Sequence, residues 1–405
     1  MPSWFGWIDH SEQHRRRMLD VLDLLHEQGT RDELGIGVIR DAFADLLFPG
    51  TGTLQTRARY FLYVPWIYQD LEARQVPVAE VARRARKAEI DLIESLLQSP
   101  DVEGTIGRIS RGKLQRVPSN IYWSGLGKLG ILRFEGSQDQ YHRSLDQFYR
   151  LRRGIVRTDD GDIVRGVPIN WDPDLPPAPT SYPETACFRL SLNEALYIQE
   201  RIMKSASQSL LAFLVDHGKR DEVAEAPWDH PQWNRFPAHI RRQLHHARAF
   251  SEVIHGAPLL YNLMLAELRE HKEWIDAYRE RLREWSALMV DRSGELAAWD
   301  RREFWAVVES EGSHPSDGTR RFIDSWLTMV LAEGEPGRVA DSERAQTLIL
   351  ERERKLKGRL ARLDNAQARS LWNGAAGAQR LVYRWPNAFV LVNDILQGMA
   401  GGSHA

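Results

Sequence analysis

The chain has 405 residues, 42% of them hydrophobic and 27% charged, an ordinary globular composition with enough apolar surface for two or three domains. Its 54 Lys and Arg against 56 Asp and Glu give a formal charge of −2, so the molecule is no polycation and any nucleic-acid surface must be a local patch. The single cysteine, Cys187, excludes an intramolecular disulfide and a cysteine-rich zinc site, and reads as a small core residue.

A first helix is expected after Asp9-x-x-Glu12, a capping box, with Met18, Val21, Leu22 and Leu25 at helical spacing and Gly29 as its stop. A second box, Thr30-x-x-Glu33, precedes the stripe Ile36, Ile39, Phe43, Leu46 and Leu47, which ends at Phe48-Pro49-Gly50. A third helix is expected from about Thr53, carrying Leu54, Ala58, Phe61 and Leu62. Pro65 should kink or end it, because proline cannot donate to residue 61. Pro77 suits the first turn of a fourth, whose apolar face is Val78, Val81, Ala85, Leu92 and Leu96 and whose remaining surface holds Arg83, Arg84, Arg86 and Lys87.

Between 106 and 134 short apolar runs alternate with Gly, Ser and Pro, so a short helix over 119–126 and a strand-like run over 131–134 are expected, then a helix over 137–152. The proline-dense stretch 155–183 blocks helix and reads as a linker or long loop. Helical patterns resume at Ser191, continue over 237–254 and 259–288, and close with a long helix over 342–372 rich in Arg and Lys. The expectation is therefore a mainly α protein, divided into an N-terminal domain 1–154, the linker 155–183, a helical domain 184–332 and a C-terminal helix and tail 333–405. The N-terminal half has room for a winged-helix-like α+β module with a short strand pair. The 14 tryptophans are expected as core anchors. No apolar run approaches the ~20 residues that span a bilayer, and the start Met1-Pro2-Ser3-Trp4 is unlike a secretion signal, so a cytoplasmic location is expected.

Most catalytic motifs fail. Gly125-x-Gly127-x-x-Gly130 matches the dinucleotide fingerprint, but a helix precedes it and a strand-like run follows, the reverse of what places a pyrophosphate on a helix N-terminus. No GxxxxGK[ST] or HExxH occurs, and His217-Gly218-Lys219 lacks the aspartate that a phospholipase-D motif needs at 224, which is Ala224. His245 and His246 point about 100° apart on a helix, and no metal or cofactor is expected. Two stretches stand out. In the turn before the third helix, Thr53, Gln55, Thr56, Arg57 and Arg59 combine unpaired amides, hydroxyls and guanidiniums able to hold a phosphate; the alternative is a simple cap with arginines paired to Asp32, Asp41 or Asp45. Farther on, Arg108, Arg111, Lys113 and Arg116 precede Tyr122 and Trp123, a basic stretch with aromatics that can track a nucleic-acid backbone and stack on bases; the alternative is a solvated face. Arg83–Lys87 and Arg352–Arg362 read as exposed helix faces.

Trp7-Ile8-Asp9, the run Thr30-Arg31-Asp32-Glu33-Leu34-Gly35-Ile36-Gly37, the stretch from Leu47-Phe48-Pro49-Gly50 through Gln55-Thr56-Arg57-Ala58-Arg59-Tyr60-Phe61, and Asp172-Pro173-Asp174-Leu175-Pro176-Pro177 resemble an uncharacterised bacterial family, a domain of unknown function, over nearly the whole chain. That resemblance carries no catalytic residue or cofactor. It implies a role in antiviral defence, beside helicase and phospholipase-D-like nuclease genes. The expected function is thus a non-enzymatic accessory component of bacterial (antiphage) defence that binds DNA or RNA, a helicase–nuclease partner, or both. The alternatives are a pure interaction scaffold, and a hydrolase using carboxylates such as Asp32, Glu33, Asp41 and Asp45.

Overall fold

The structure is a computed structural model that describes residues 32–153, 168–220, 222–332 and 336–401. The helix expected over 9–28 and Thr30 of the second capping box lie outside the described residues. The chain falls into two compact units, one of Phe43–Leu244 with Val382–Ala405, the other of His245–Leu381 with the segment ending at Ala42. The described part of the proline-dense stretch belongs to the former.

The protein is mainly helical. In chain order the longer helices are α1 (Gly37–Leu47), α2 (Tyr60–Ala73), α3 (Val78–Leu96), α4 (Pro118–Lys128), α5 (Gln138–Arg153), α6 (Leu192–Ala206), α7 (Leu210–His217), α8 (Ala238–Ile254), α9 (Gly256–Leu268), α10 (Lys272–Asp291), α11 (Arg301–Glu309), α12 (Asp317–Ala332), α13 (Glu343–Lys357) and α14 (Trp385–Gly401). The winged-helix-like module with its strand pair is not found among the described residues. The run over 131–134 makes a single antiparallel bridge, Leu132 with Trp171, carried by Arg133 N–H to the Asn170 carbonyl and Asp172 N–H to the Ile131 carbonyl, both at 2.8 Å. The partner segment runs at once into Pro173, Pro176 and Pro177, which have no amide hydrogen to extend a ladder.

In the unit holding residues 43–244, α2 packs against α3 and α4, α5 packs on α3, and α14 packs on α6 and α7. The helix α2 starts at Tyr60 rather than near Thr53, and it runs through Pro65 to Ala73. Every residue from Tyr60 to Tyr68 is buried, so the helix is apolar all round and central. An interior proline costs about 3 kcal/mol. Burying each of Phe61, Leu62, Val64 and Ile67 returns roughly 1.5–3 kcal/mol, which explains why the helix continues.

In the other unit, α9 packs on α10 and α13, and α12 packs on α13. The helix expected over 259–288 breaks after Leu268, where Glu270 has φ +52°. The long helix expected over 342–372 stops at Lys357, and Gly358 turns the chain with φ +52°. The cause is Glu353, which is fully buried and whose carboxylate accepts the returning amides of Arg362 and Leu363 at 2.8 and 2.9 Å. Nor are the cations of this helix all solvated: Arg352 donates to the Leu34 carbonyl at 2.8 Å and to Thr319, while Arg362 and Lys357 both engage Glu33.

Candidate functional site

The turn before α2 holds an anion, and that anion is the protein's own. The Asp394 carboxylate of α14 accepts the Ala58 amide at 2.8 Å and Arg57 Nε at 3.1 Å. The amides of Thr56 and Arg57 donate to the Tyr122 hydroxyl at 2.9 and 3.1 Å. Arg57 also reaches Asp101 at 2.7 Å, and its guanidinium lies 4.6 Å from the Phe188 ring centre. Burial pushes the Asp394 carboxyl up, and Arg57 opposes that shift.

Arg59 binds Glu194 at 2.7 Å and the Cys187 carbonyl at 2.9 Å. Gln55 is buried and donates to the Gly50 carbonyl, and Thr56 donates through its hydroxyl to the Gly104 carbonyl at 2.6 Å. Thr53 is exposed, with its carbonyl bonded by Asn387. So the structure brings Gln55, Thr56, Arg57 and Arg59 together, with both guanidiniums engaged by internal carboxylates.

The acids of the hydrolase alternative are each engaged locally. Asp32 accepts the amides of Ile36 and Gly37, Glu33 holds Arg362 and Lys357, Asp41 pairs with Arg40, and Asp45 pairs with Arg384. His246 is buried, its Nδ1 accepting from the Trp299 indole at 2.9 Å. Gly125 serves packing: a Cβ there would lie 2.3 Å from the Gly50 carbonyl oxygen.

The second basic stretch is different. Residues 108–116 form a surface loop around the short turn Arg111–Lys113. Arg86, on the exposed side of α3, donates to the carbonyls of Gly112 and Leu114 at 3.3 and 2.5 Å, which ties the loop to the helix. Arg83, Lys87, Arg108, Arg111, Lys113 and Arg116 are all exposed beside this tie. Arg111 is 3.6 Å from Glu94 and Arg83 is 3.5 Å from Glu80. Lys87, Arg108, Lys113 and Arg116 have no carboxylate within 4.0 Å among the described residues. The expected stacking aromatics are not available, because Tyr122 and Trp123 are buried, 0% and 8% exposed. Both rings join the aromatic core around α2, Tyr122 against Phe61 and Trp123 against Tyr68.

Beside this basic surface lies a cavity of about 470 Å³ whose lining includes Tyr68, Arg86, Glu89, Asn120, Gln138 and His142. One hydrogen-bonded chain runs through it. Ser119 gives its amide and its hydroxyl to the two oxygens of Glu89, each at 2.7 Å. Gln138 Nε2 donates to Ser119 Oγ at 2.8 Å and to the Tyr68 hydroxyl at 2.6 Å, and Asn120 Nδ2 donates to Gln138 Oε1 at 2.6 Å. The Tyr68 hydroxyl is 3.1 Å from His142 Nε2. Burial pushes the Glu89 carboxyl up to about 7, against the two bonds from Ser119 and the charge of Arg86; burial lowers His142.

Sequence reading missed Glu89, although a signal was present: it sits in phase with Ala85, Leu92 and Leu96 on the apolar face of α3, where a carboxylate is costly unless it is bonded. Among the described residues no three His, Cys, Asp or Glu side chains group to hold a metal ion, and no helix is long and apolar enough to cross a membrane.

The family model described as a family of unknown function (DUF6361) matches residues 2–397. The chain belongs to that family. Among curated proteins and among solved structures, none matches it.

Proposed function

We propose that this member of the family is a nucleic-acid-binding accessory protein, whose contact surface is the exposed side of α3 with the loop 108–116. A single observation supports it: Arg86 pins the loop to α3, so that Arg83, Lys87, Arg108, Arg111, Lys113 and Arg116 share one exposed neighbourhood, and four of those cations have no counter-charge among the described residues. In a chain of net charge −2 this local excess is the feature suited to phosphates. Arg111, Lys113 and Arg116 are the main contacts. Arg57 and Arg59 of the earlier turn hold that turn's shape, Gln55 and Thr56 are bonded within it, and Thr53 lies at its exposed edge, so the turn is not a second phosphate site. By its resemblance, the setting is bacterial antiviral defence, with a helicase or a phospholipase-D-like nuclease as neighbour.

Fluorescence anisotropy of a labelled strand, titrated at several salt concentrations, tests it. Each phosphate that the protein no longer neutralises should flatten the log–log salt slope by about 0.7 for a single strand. The double variant Lys113→Glu with Arg116→Glu should therefore weaken binding and reduce that slope by roughly 1.4. Absence of binding to duplex and single strand at low salt, or binding indifferent to the double variant, sinks the proposal.

A further inference from the structure

The cavity beside the basic surface has a chemistry of its own. Its volume of about 470 Å³ falls within the usual range for small-ligand sites. Exposed Arg86, Asn120 and Asp139 line it together with Glu89, which is only 1% exposed, so it reaches from solvent to a buried carboxylate. Ser119 takes one acceptor position on each Glu89 oxygen, and each oxygen keeps a second. Two adjacent acceptors suit a ligand edge with two adjacent donors. Asn120 spends one amide hydrogen on Gln138 and keeps one to give to an acceptor.

Guanine carries this complement on one edge: N1–H and N2–H donors beside the O6 acceptor. Adenine, cytosine and uracil do not place two donors side by side there. A guanidinium also has paired donors, but Arg86 lines the same cavity and the exposed cations of α3 and the loop stand nearby, which disfavours a cationic guest and favours one carrying phosphate. The one exposed acid of the lining, Asp139, is ion-paired to Arg143.

We propose that this cavity reads a guanine base, with Glu89 accepting from N1–H and N2–H, Asn120 donating to O6, and the attached phosphate lying toward Arg86 and the loop 108–116. It rests on the nucleic-acid reading of that surface, and it supplies the base recognition that the buried Tyr122 and Trp123 do not. The recognised chemistry, a guanine carrying a phosphate, comes either from a bound strand or from a free nucleotide.

The test uses the full chain and two assays in parallel: calorimetric titration with GMP, AMP, CMP and UMP, and anisotropy with a labelled mixed-sequence strand. GMP should bind saturably and about 10-fold or more tighter than the other three, the margin of one bidentate base contact. Glu89→Gln should abolish the preference. Asn120→Ala, at an exposed position, should fold normally and reduce the preference even if the Glu89 variant does not fold. Equal binding of GMP and AMP, or a preference that survives both variants, overturns the pocket; strand binding retained in that case leaves the basic-surface proposal standing. A GMP preference without strand binding identifies the source as free nucleotide and removes the strand-binding proposal instead.

Discussion

Glu89→Gln also tests the electrostatics of the cavity through stability. The carboxylate is buried at the end of a bonded chain, and burial raises it from 4.5 to about 7. The sign follows from the raised value. Protons bind the folded state more tightly than the unfolded one between those two values. Stability from this site is therefore complete below about pH 4.5, falls as pH rises through about 7, and is flat above that. The span corresponds to about 3 kcal/mol. The other ionisable groups around it, Arg86 on its own helix, Asp139 and His142 on α5, and Tyr68 on α2, are common to both proteins and largely cancel in a difference.

Glutamine keeps the shape and one acceptor for Ser119 but loses the other bond, at a cost of about 1 kcal/mol. The variant should thus be less stable than wild type by about 1 kcal/mol at pH 4 and more stable by roughly 2 kcal/mol at pH 8.5. Urea unfolding of both proteins at the two pH values measures this as a crossing of midpoints. Midpoints that differ by the same amount at both pH values would refute the idea that Glu89 is a strained, buried acid.

Arg57→Ala should be severe, because it leaves the 7%-exposed Asp394 carboxylate with the Ala58 amide and no cation. A loss of about 3–5 kcal/mol is expected in urea unfolding, and adding Asp394→Asn should recover part of it. Gly125→Ala should cost roughly 1–3 kcal/mol, since its Cβ would meet the Gly50 carbonyl at 2.3 Å and must push two backbones apart; an unchanged thermal midpoint would contradict that approach. Arg86→Lys keeps the charge but loses the guanidinium's pair of hydrogen bonds to the Gly112 and Leu114 carbonyls. It should raise the strand Kd severalfold with little change in salt slope, which separates loop placement from phosphate binding in the anisotropy assay.

Local pattern was enough for the helical class and for most elements. The stripe Val81, Ala85, Leu92 and Leu96 marked α3, and the helical pattern resuming at Ser191 marked α6, where the structure adds a capping box of Ser191 with Glu194. Exposure of Arg83, Arg84, Arg86 and Lys87 likewise followed from their place off that stripe. These are short-range properties, set by helical spacing and by the residue at a helix end. What spacing could not decide were partners brought from far along the chain. Pro65 lies inside a helix because residues around α2 bury it, Glu353 ends α13 by capturing amides nine and ten residues on, and Tyr122 is withdrawn from any ligand by Phe61 and Tyr60. The arginine turn carries the same lesson: its amides and guanidiniums suit an anion, as their types imply, but Asp394, more than three hundred residues later, provides it. A sequence specifies which groups need a counterpart; only the folded chain determines whether that counterpart is internal, as for Arg57, or not found among the described residues, as for Lys113 and Arg116.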